Sequence, residues 1–119
     1  MMGTSAAEAM RRAISAGAEI VGANCGTGLK FDDYVKLAEQ LVRAAGNTMV
    51  IVQPNAGSPR TENGRTVYDA TPAEMAATAT RLLDADVRII GGCCGTTPAH
   101  LAAITHAIRS ARPASWSPH

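Results

Sequence analysis

Apolar residues recur at spacings of three and four in four segments of the chain, and this spacing predicts four amphipathic helices. The first helix should begin after Ser5, and the second should cover residues 31–45. Thr71-Pro72 and Thr97-Pro98 each combine a capping residue with proline at the first helical position, so they predict the starts of the third and fourth helices. The expected apolar faces include Tyr34, Ala38, Leu41 and Ala45 in the second helix and Leu101, Ile104 and Ile108 in the fourth.

Three short apolar runs lie between these helices, at residues 19–23, 48–53 and 87–90, and they predict buried strands. Residues 58–70 are polar and contain Pro, Gly and Asn, so a long loop is expected there. The alternation of helix and strand predicts an α/β fold of parallel βα units with right-handed crossovers. Three strands are too few for a closed eight-stranded barrel of about 250 residues, so the pattern indicates a small open layer or part of a larger barrel.

The composition narrows the class of protein without revealing its chemistry. The 119 residues are 46% apolar with a net charge of +1, which suits one globular domain or part of one. The sequence shows neither a membrane-spanning run nor a secretory signal pattern, so a cytoplasmic protein without a membrane partner is expected. Interspersed charges and 3% aromatic residues argue against nucleic-acid binding. We expect one domain over residues 1–112, followed by a flexible Pro/Ser-rich tail at 113–119.

The chemistry of the chain is concentrated in its three cysteines, Cys25, Cys93 and Cys94. An odd number of cysteines, two of them adjacent, is a poor disulfide framework and favours metal ligands or reactive thiols. Each follows an apolar run, and the loops after parallel strands open on one edge of a sheet, so the thiols are expected to meet. The flanking glycines would let the adjacent pair face one metal ion. Three thiolates predict a Zn²⁺ site with an open fourth position, which is typical of catalytic zinc.

An open position beside three thiolates favours one type of reaction. If the fourth ligand is a substrate thiol, zinc would deprotonate it and leave the sulfur nucleophilic toward an alkyl donor. Hydrolysis by zinc-bound water is less favoured, because three thiolates acidify water less than neutral histidines do.

Three nearby polar residues have two possible roles each. Asn55 either caps the turn after the second strand or supplies a fourth ligand oxygen, and the turn role is favoured. Asn24 is expected to fix the loop of Cys25 by hydrogen bonds rather than to touch the metal. His100 is expected to face solvent from the fourth helix. The alternative is that it contacts the metal ligands without binding the metal itself.

Three motifs resemble those of the homocysteine S-methyltransferase family, and they occur in that family's order. They are Gly22-Ala23-Asn24-Cys25, Pro54-Asn55-Ala56-Gly57 and Gly91-Gly92-Cys93-Cys94-Gly95-Thr96-Thr97-Pro98. Tyr68-Asp69 and His100 are most similar to the homocysteine-binding domain of the cobalamin-dependent members. The resemblance covers residues 1 to about 111.

This resemblance implies a (β/α)₈ TIM-barrel fold, of which the chain is similar to the last three strands and their helices. It implies that Cys25, Cys93 and Cys94 bind zinc, with homocysteine sulfur as the fourth ligand. Methylcobalamin or another methyl donor would act in trans, from a donor domain or a separate protein, to form methionine. Met1-Met2-Gly3 resembles the middle of the family's preceding strand, so we expect a methyltransferase fragment that is inactive without the N-terminal half of the barrel.

Two other functions compete with a methyltransferase fragment. The first is a non-catalytic, metal-binding half-barrel that forms a homo-oligomer or complements a partner chain, because uncovered strands expose apolar surface. The second is a redox or metal-transfer protein that uses the adjacent thiols, although the chain has no C-x-x-C spacing to support it.

Overall fold

A computed structural model describes residues 5–26 and 28–111, which form four helices and five strands. The helices are α1 (Ala6–Ser15), α2 (Phe31–Ala45), α3 (Pro72–Asp84) and α4 (Pro98–Ala111). The strands are β1 (Ile20–Asn24), β2 (Met49–Gln53), β3 (Pro59–Glu62), β4 (Arg65–Tyr68) and β5 (Ile89–Ile90). The tail predicted at 113–119 and the strand-like start Met1-Met2-Gly3 lie outside the described residues.

The helices begin where their capping residues predict. The Ser5 hydroxyl accepts the N–H of Glu8 at 3.1 Å at the start of α1. Thr71 and Glu74 form a reciprocal capping box at α3, in which each side chain accepts the other residue's backbone N–H at 3.1 Å. Each cap satisfies N–H groups that the first helical turn leaves free. The bounds of α2 agree with the predicted residues 31–45, and all four residues of its expected face are buried.

The predicted parallel α/β arrangement is confirmed in a small sheet with the order β1-β2-β5. All five residues of β1 pair in register with β2, from Ile20 opposite Met49 to Asn24 opposite Gln53. β5 is shorter than the predicted strand 87–90, because Val87 is instead buried in the core directly after α3. The N–H of Gly91 nevertheless bonds to the Val52 carbonyl at 3.1 Å, so the pairing continues toward the cysteines.

The prediction of an irregular loop over residues 58–70 was wrong, because this segment forms an antiparallel hairpin of β3 and β4. Asn63 and Gly64 connect the strands with φ angles of 53° and 77°. An Asn-Gly pair with positive φ at both positions is the preferred two-residue hairpin connection, because its twist matches that of the strands. The hairpin is largely exposed, so polarity alone did not distinguish it from a loop.

The helices cover one face of the parallel sheet and leave the other uncovered within the described part of the chain. Val50 and Val52 of β2 point into the main core with Leu82 of α3, and each is at most 2% exposed. Met49, which precedes Val50, and its partner Ile20 in β1 point to the opposite face, where they are 52% and 50% exposed. The small parallel sheet therefore has an open, partly apolar face.

The fourth helix differs from its predicted stripe. Ile104 is buried in a second core cluster, whereas Leu101 is 46% exposed and does not belong to the buried face. The expectation that His100 faces solvent was also wrong, because His100 is only 8% exposed. The helix is rotated so that His100 and Ile104, one turn apart, face the core together.

None of the helices in residues 5–26 and 28–111 is long and apolar enough to cross a bilayer.

The packing predicts unequal effects for two leucines. Replacement of the fully buried Leu82 with Ala should lower the free energy of unfolding by about 2–5 kcal/mol, because it removes apolar contacts and leaves a cavity. Leu101→Ala is the matched control and should cost less than about 1 kcal/mol, because that side chain is nearly half exposed. Urea unfolding followed by circular dichroism measures both, and equal losses would contradict the described packing.

Candidate metal centre

The three cysteine side chains converge at the carboxyl edge of the parallel sheet. The Sγ atoms of Cys25, Cys93 and Cys94 all lie within 4.8 Å of one another, and those of Cys25 and Cys94 are 3.6 Å apart. Cys25 and Cys94 are separated by 69 positions in the chain, so the fold creates this cluster. Cys25 follows β1 and the adjacent pair follows β5, the two strands that flank β2.

A change of backbone direction at the end of β1 positions Cys25. Its N–H donates to the Gln53 carbonyl at 3.4 Å, which continues the pairing with β2. The φ angle of Cys25 is then 48°, in the left-handed region that non-glycine residues seldom adopt. The next N–H, of Gly26, donates to the hydroxyl of buried Tyr34 at 2.9 Å. These contacts from β2 and α2 hold a conformation that is strained in isolation, as is common at functional sites.

Cys93 and Cys94 belong to a loop, residues 91–97, that we term the cysteine loop. The Cys93 N–H donates to the Pro54 carbonyl at 2.9 Å, and the Cys94 carbonyl accepts the Ala56 N–H at 2.9 Å. Between these bonds, the Cys94 N–H donates to Oδ1 of Asn55 at 3.0 Å. Residues 54–56 after β2 therefore form a template on which the backbone of both cysteines is held.

The two asparagines contact the cysteine loop. Asn55 is 8% exposed, and its side-chain oxygen accepts the Cys94 N–H. The residue therefore joins two loops rather than only capping its own turn. Asn24 was expected to fix the loop of Cys25, but its Nδ2 instead lies 3.9 Å from the Sγ of Cys93 and donates to it. An amide donor beside a sulfur favours the thiolate form.

The close thiols alter one another's proton affinity. Hydrogen bonding with Cys94 and Cys93 raises the pKa of Cys25 to about 11. Hydrogen bonding from Cys25 lowers the pKa of Cys93, and donors from the Cys94 backbone and Asn24 act in the same direction. The metal-free cluster thus favours a thiolate at Cys93 that is stabilised by neighbouring donors.

The geometry of the cluster suits a thiophilic metal ion. In a tetrahedral site with Zn–S bonds of about 2.3 Å, the sulfur atoms are about 3.8 Å apart. The observed separations, 3.6 Å for one pair and no more than 4.8 Å for the others, need only small side-chain adjustments to reach this value. Cys25, Cys93 and Cys94 could therefore hold Zn²⁺ together. Three protein ligands leave one tetrahedral position for another molecule.

A cavity of about 200 Å³ opens beside two of the three thiols, and within residues 5–26 and 28–111 its lining contains no Asp, Glu, Lys, Arg or His. Its walls include Cys25, Cys94, Leu29, Pro59 and Tyr68. Partial burial and the proximity of Cys94 raise the pKa of the Tyr68 hydroxyl, so this group remains a hydrogen-bond donor at neutral pH. The cavity has room for a small, largely apolar group beside Cys25 and Cys94.

The sequence interpretation gave no cavity role to Tyr68, because it treated residues 58–70 as a loop. The hairpin ends at Tyr68, and Asp69 then accepts the Ser58 N–H at 3.0 Å across the hairpin base. Gly95, with φ of 81°, lies against the Tyr68 ring so closely that a Cβ atom there would overlap it. The Asn63-Gly64 turn was the available signal for this arrangement.

Comparison with known proteins gives a family match and several similar sequences, including two methionine synthases. A model described as homocysteine S-methyltransferase matches residues 1–108. Methionine synthase from Mycobacterium tuberculosis is 31% identical over 124 aligned residues, which include 99% of this chain and 10% of that protein. Methionine synthase from Mycobacterium leprae is 29% identical over 110 aligned residues, 91% of this chain and 9% of that protein. The chain spans about a tenth of the length of these relatives.

The proton affinities predict an order of thiol modification in the metal-free protein. At pH 8, iodoacetamide should label Cys93 before Cys25, because the lowered pKa of Cys93 favours its thiolate while Cys25 stays protonated up to about pH 11. Cys25→Ala should slow the labelling of Cys93, because it removes a hydrogen-bond donor. Peptide mass spectrometry at several times measures both rates. His106→Gln, at an exposed position of α4, is the control, and faster labelling of Cys25 than Cys93 would contradict the described cluster.

Proposed function

Because the chain belongs to the homocysteine S-methyltransferase family, we propose that it forms the zinc-binding part of a methyltransferase that converts homocysteine to methionine. The main supporting observation is the convergence of the Cys25, Cys93 and Cys94 thiols within 4.8 Å at one edge of a parallel sheet. In this proposal the three thiolates hold Zn²⁺, and the homocysteine sulfur takes the remaining position. The names of the similar proteins support the same methyl-transfer role.

In this proposal, the residues of the chain hold the sulfur ligands in position, and zinc makes the substrate thiol more acidic. When bound, zinc would lower the pKa of the homocysteine thiol, so that its thiolate can accept a methyl group at neutral pH. Asn24 donates to Cys93, and Asn55 holds the Cys94 backbone, so both asparagines keep the donor sulfurs aimed at one point. In this proposal Asn55 supports the ligands, because its side-chain oxygen accepts the Cys94 N–H at 3.0 Å.

The cavity beside Cys25 and Cys94 is proposed to receive the methylene arm of homocysteine. Among the described residues, its lining has no carboxylate, ammonium or guanidinium group that could pair with the amino acid end of the substrate. We propose that those contacts come from another part of a (β/α)₈ barrel, in which β1, β2 and β5 are neighbouring strands. The methyl group would come from methylcobalamin or another donor, held by a separate domain or protein. The described part is then inactive by itself.

A second function is supported by the open face of the parallel sheet. Ile20 and Met49 are about half exposed on the face opposite the helices, and apolar surface of this type favours association. In this alternative, the chain is a non-catalytic half-barrel that binds metal and forms a homo-oligomer or complements a partner chain.

The zinc proposal predicts one metal ion per chain, bound through three sulfur atoms. Changing Cys25, Cys93 or Cys94 to Ala should weaken Zn²⁺ binding by at least about 100-fold, because each change removes a sulfur that binds the metal directly. Even changes to the outer partners of metal ligands cost about 10- to 100-fold. Competition with a chromophoric chelator measures the affinity. X-ray absorption should show a fourth sulfur around zinc when homocysteine is added, with serine as the control ligand.

Two results would count against the proposed function. Zinc that stays bound after all three cysteines are replaced would exclude the cluster as its site. An X-ray absorption spectrum that homocysteine leaves unchanged, in a chain that does bind zinc, would exclude the thiol as a ligand and favour the non-catalytic alternative.

The open sheet face predicts self-association that can be tested separately. Replacing both Ile20 and Met49 with Lys should shift the chain from oligomer to monomer, because charge on this face opposes its burial. Sedimentation velocity at several concentrations measures the shift. Leu101→Lys is the control, because Leu101 is similarly exposed on α4. A wild-type chain that is monomeric at every concentration would contradict self-association.

A further inference from the structure

A closed series of contacts links the cysteine loop to a buried histidine that does not touch the thiols. The Cys94 carbonyl accepts the Ala56 N–H at 2.9 Å, and the Ala56 carbonyl accepts the Ala70 N–H at 3.0 Å. The Ala70 carbonyl lies 2.8 Å from Nε2 of His100. The other ring nitrogen of His100 contacts Thr97, three residues after Cys94 in the chain. The ring thereby joins the end of the cysteine loop to the backbone that supports its middle.

The contacts of His100 determine the tautomer of its ring. Nδ1 accepts the Thr97 N–H at 3.1 Å and lies 2.7 Å from the Thr97 hydroxyl. A nitrogen that accepts a backbone N–H has no proton of its own, so in the neutral ring the proton is on Nε2. Nε2–H then donates to the Ala70 carbonyl. Both ring nitrogens are satisfied, and with 8% exposure the side chain is almost removed from solvent.

The position of Ala70 makes this contact more than a helix cap. Ala70 directly precedes Thr71, the cap of α3, and it follows the hairpin whose last residue, Tyr68, lines the cavity beside the thiols. His100 lies in the first turn of α4. One imidazole therefore connects the starts of two helices, the base of the hairpin and the cysteine loop.

We infer that His100 is a positioning residue that keeps the cysteine loop in its metal-binding geometry by tying Thr97 to Ala70. This inference rests on the proposed function, because it takes Cys93 and Cys94 as metal ligands. His100 acts through the backbone and not as a ligand, because both of its ring nitrogens already have partners. Loss of the tie would let the start of α4 move away from Ala70. The sulfur of Cys94 would move with it.

Two substitutions distinguish the contact made by Nδ1 of His100 from the contact made by Nε2. His100→Asn places an amide near the position of Nδ1 and cannot reach Ala70, whereas His100→Gln can extend an N–H toward the Ala70 carbonyl. Ile104→Ala is a matched control for stability, because Ile104 is buried one turn later in α4 and forms no part of the hydrogen-bond series. His106→Gln controls for a histidine change at an exposed position of the same helix.

The experiment uses the full chain loaded with Co²⁺, whose visible spectrum reports the sulfur ligands. The rate of Co²⁺ transfer to excess chelator should rise about 10-fold in His100→Asn. This is the lower end of the loss of metal affinity that follows when an outer partner of a metal ligand is removed. The spectrum should broaden as the ligand geometry loosens. His100→Gln should release Co²⁺ more slowly than His100→Asn, and Ile104→Ala and His106→Gln should keep the wild-type spectrum.

A metal-independent measurement separates this inference from the proposed function. Hydrogen exchange of the Cys94 amide in the metal-free chain should be faster in His100→Asn than in Ile104→Ala. If Ile104→Ala and His100→Asn release Co²⁺ and exchange the Cys94 amide equally fast, His100 contributes only stability and the inference is wrong. If His100→Gln releases Co²⁺ as fast as His100→Asn, the role assigned to the hydrogen bond between His100 and Ala70 is also wrong. A wild-type chain that binds no Co²⁺ contradicts the proposed function, and the exchange comparison still decides the role of His100.

Discussion

The structure of the candidate site depends on the hydrogen bonding between the cysteine loop and residues 54–56. Two adjacent residues in a regular strand point to opposite faces, so Cys93 and Cys94 can approach one point only where the backbone leaves strand geometry. Such a break would leave backbone groups without strand partners, which is costly where water is excluded. Pro54, Asn55 and Ala56 supply those partners, two from the main chain and one from a side chain. The segment after β2 thus determines the shape of the segment after β5.

The central position of β2 restrains this arrangement. Val50 and Val52 of β2 are buried in the core, and β1 and β5 pair with its two edges, so movement of its carboxyl end would disturb the whole parallel sheet. Cys25 is held to the same strand through Gln53. The positions of all three thiols therefore depend on β2 and the residues that follow it, although none of the cysteines belongs to that strand. This accounts for the convergence of residues that are 69 positions apart.

Helical segments and buried strands were predictable because their signals are local. The bounds of α2, the capping box at Thr71 and the parallel order all follow from apolar spacing and capping residues. The hairpin was missed because its stability comes from a two-residue turn and cross-strand pairing, while its exposed residues show no apolar pattern. The burial of His100 could not be read from its helix alone, because its partner Ala70 lies 30 positions earlier. The cysteines suggested a metal site, but the supporting roles of Asn24 and Asn55 required the relative positions of three loops.

The two faces of the parallel sheet have different roles in the proposed function. On the helix-covered face, Val50 and Val52 of β2 pack into the main core, and the backbones of Cys25 and Cys93 bond to the end of this strand and the residue directly after it. The opposite face exposes Ile20 and Met49, and the described residues that line the cavity beside the thiols include no Asp, Glu, Lys, Arg or His. The proposed function therefore assigns metal binding and substrate selection to different parts of the protein. In this proposal the three thiols of the chain hold the metal, while contacts to the amino acid end of homocysteine come from another part.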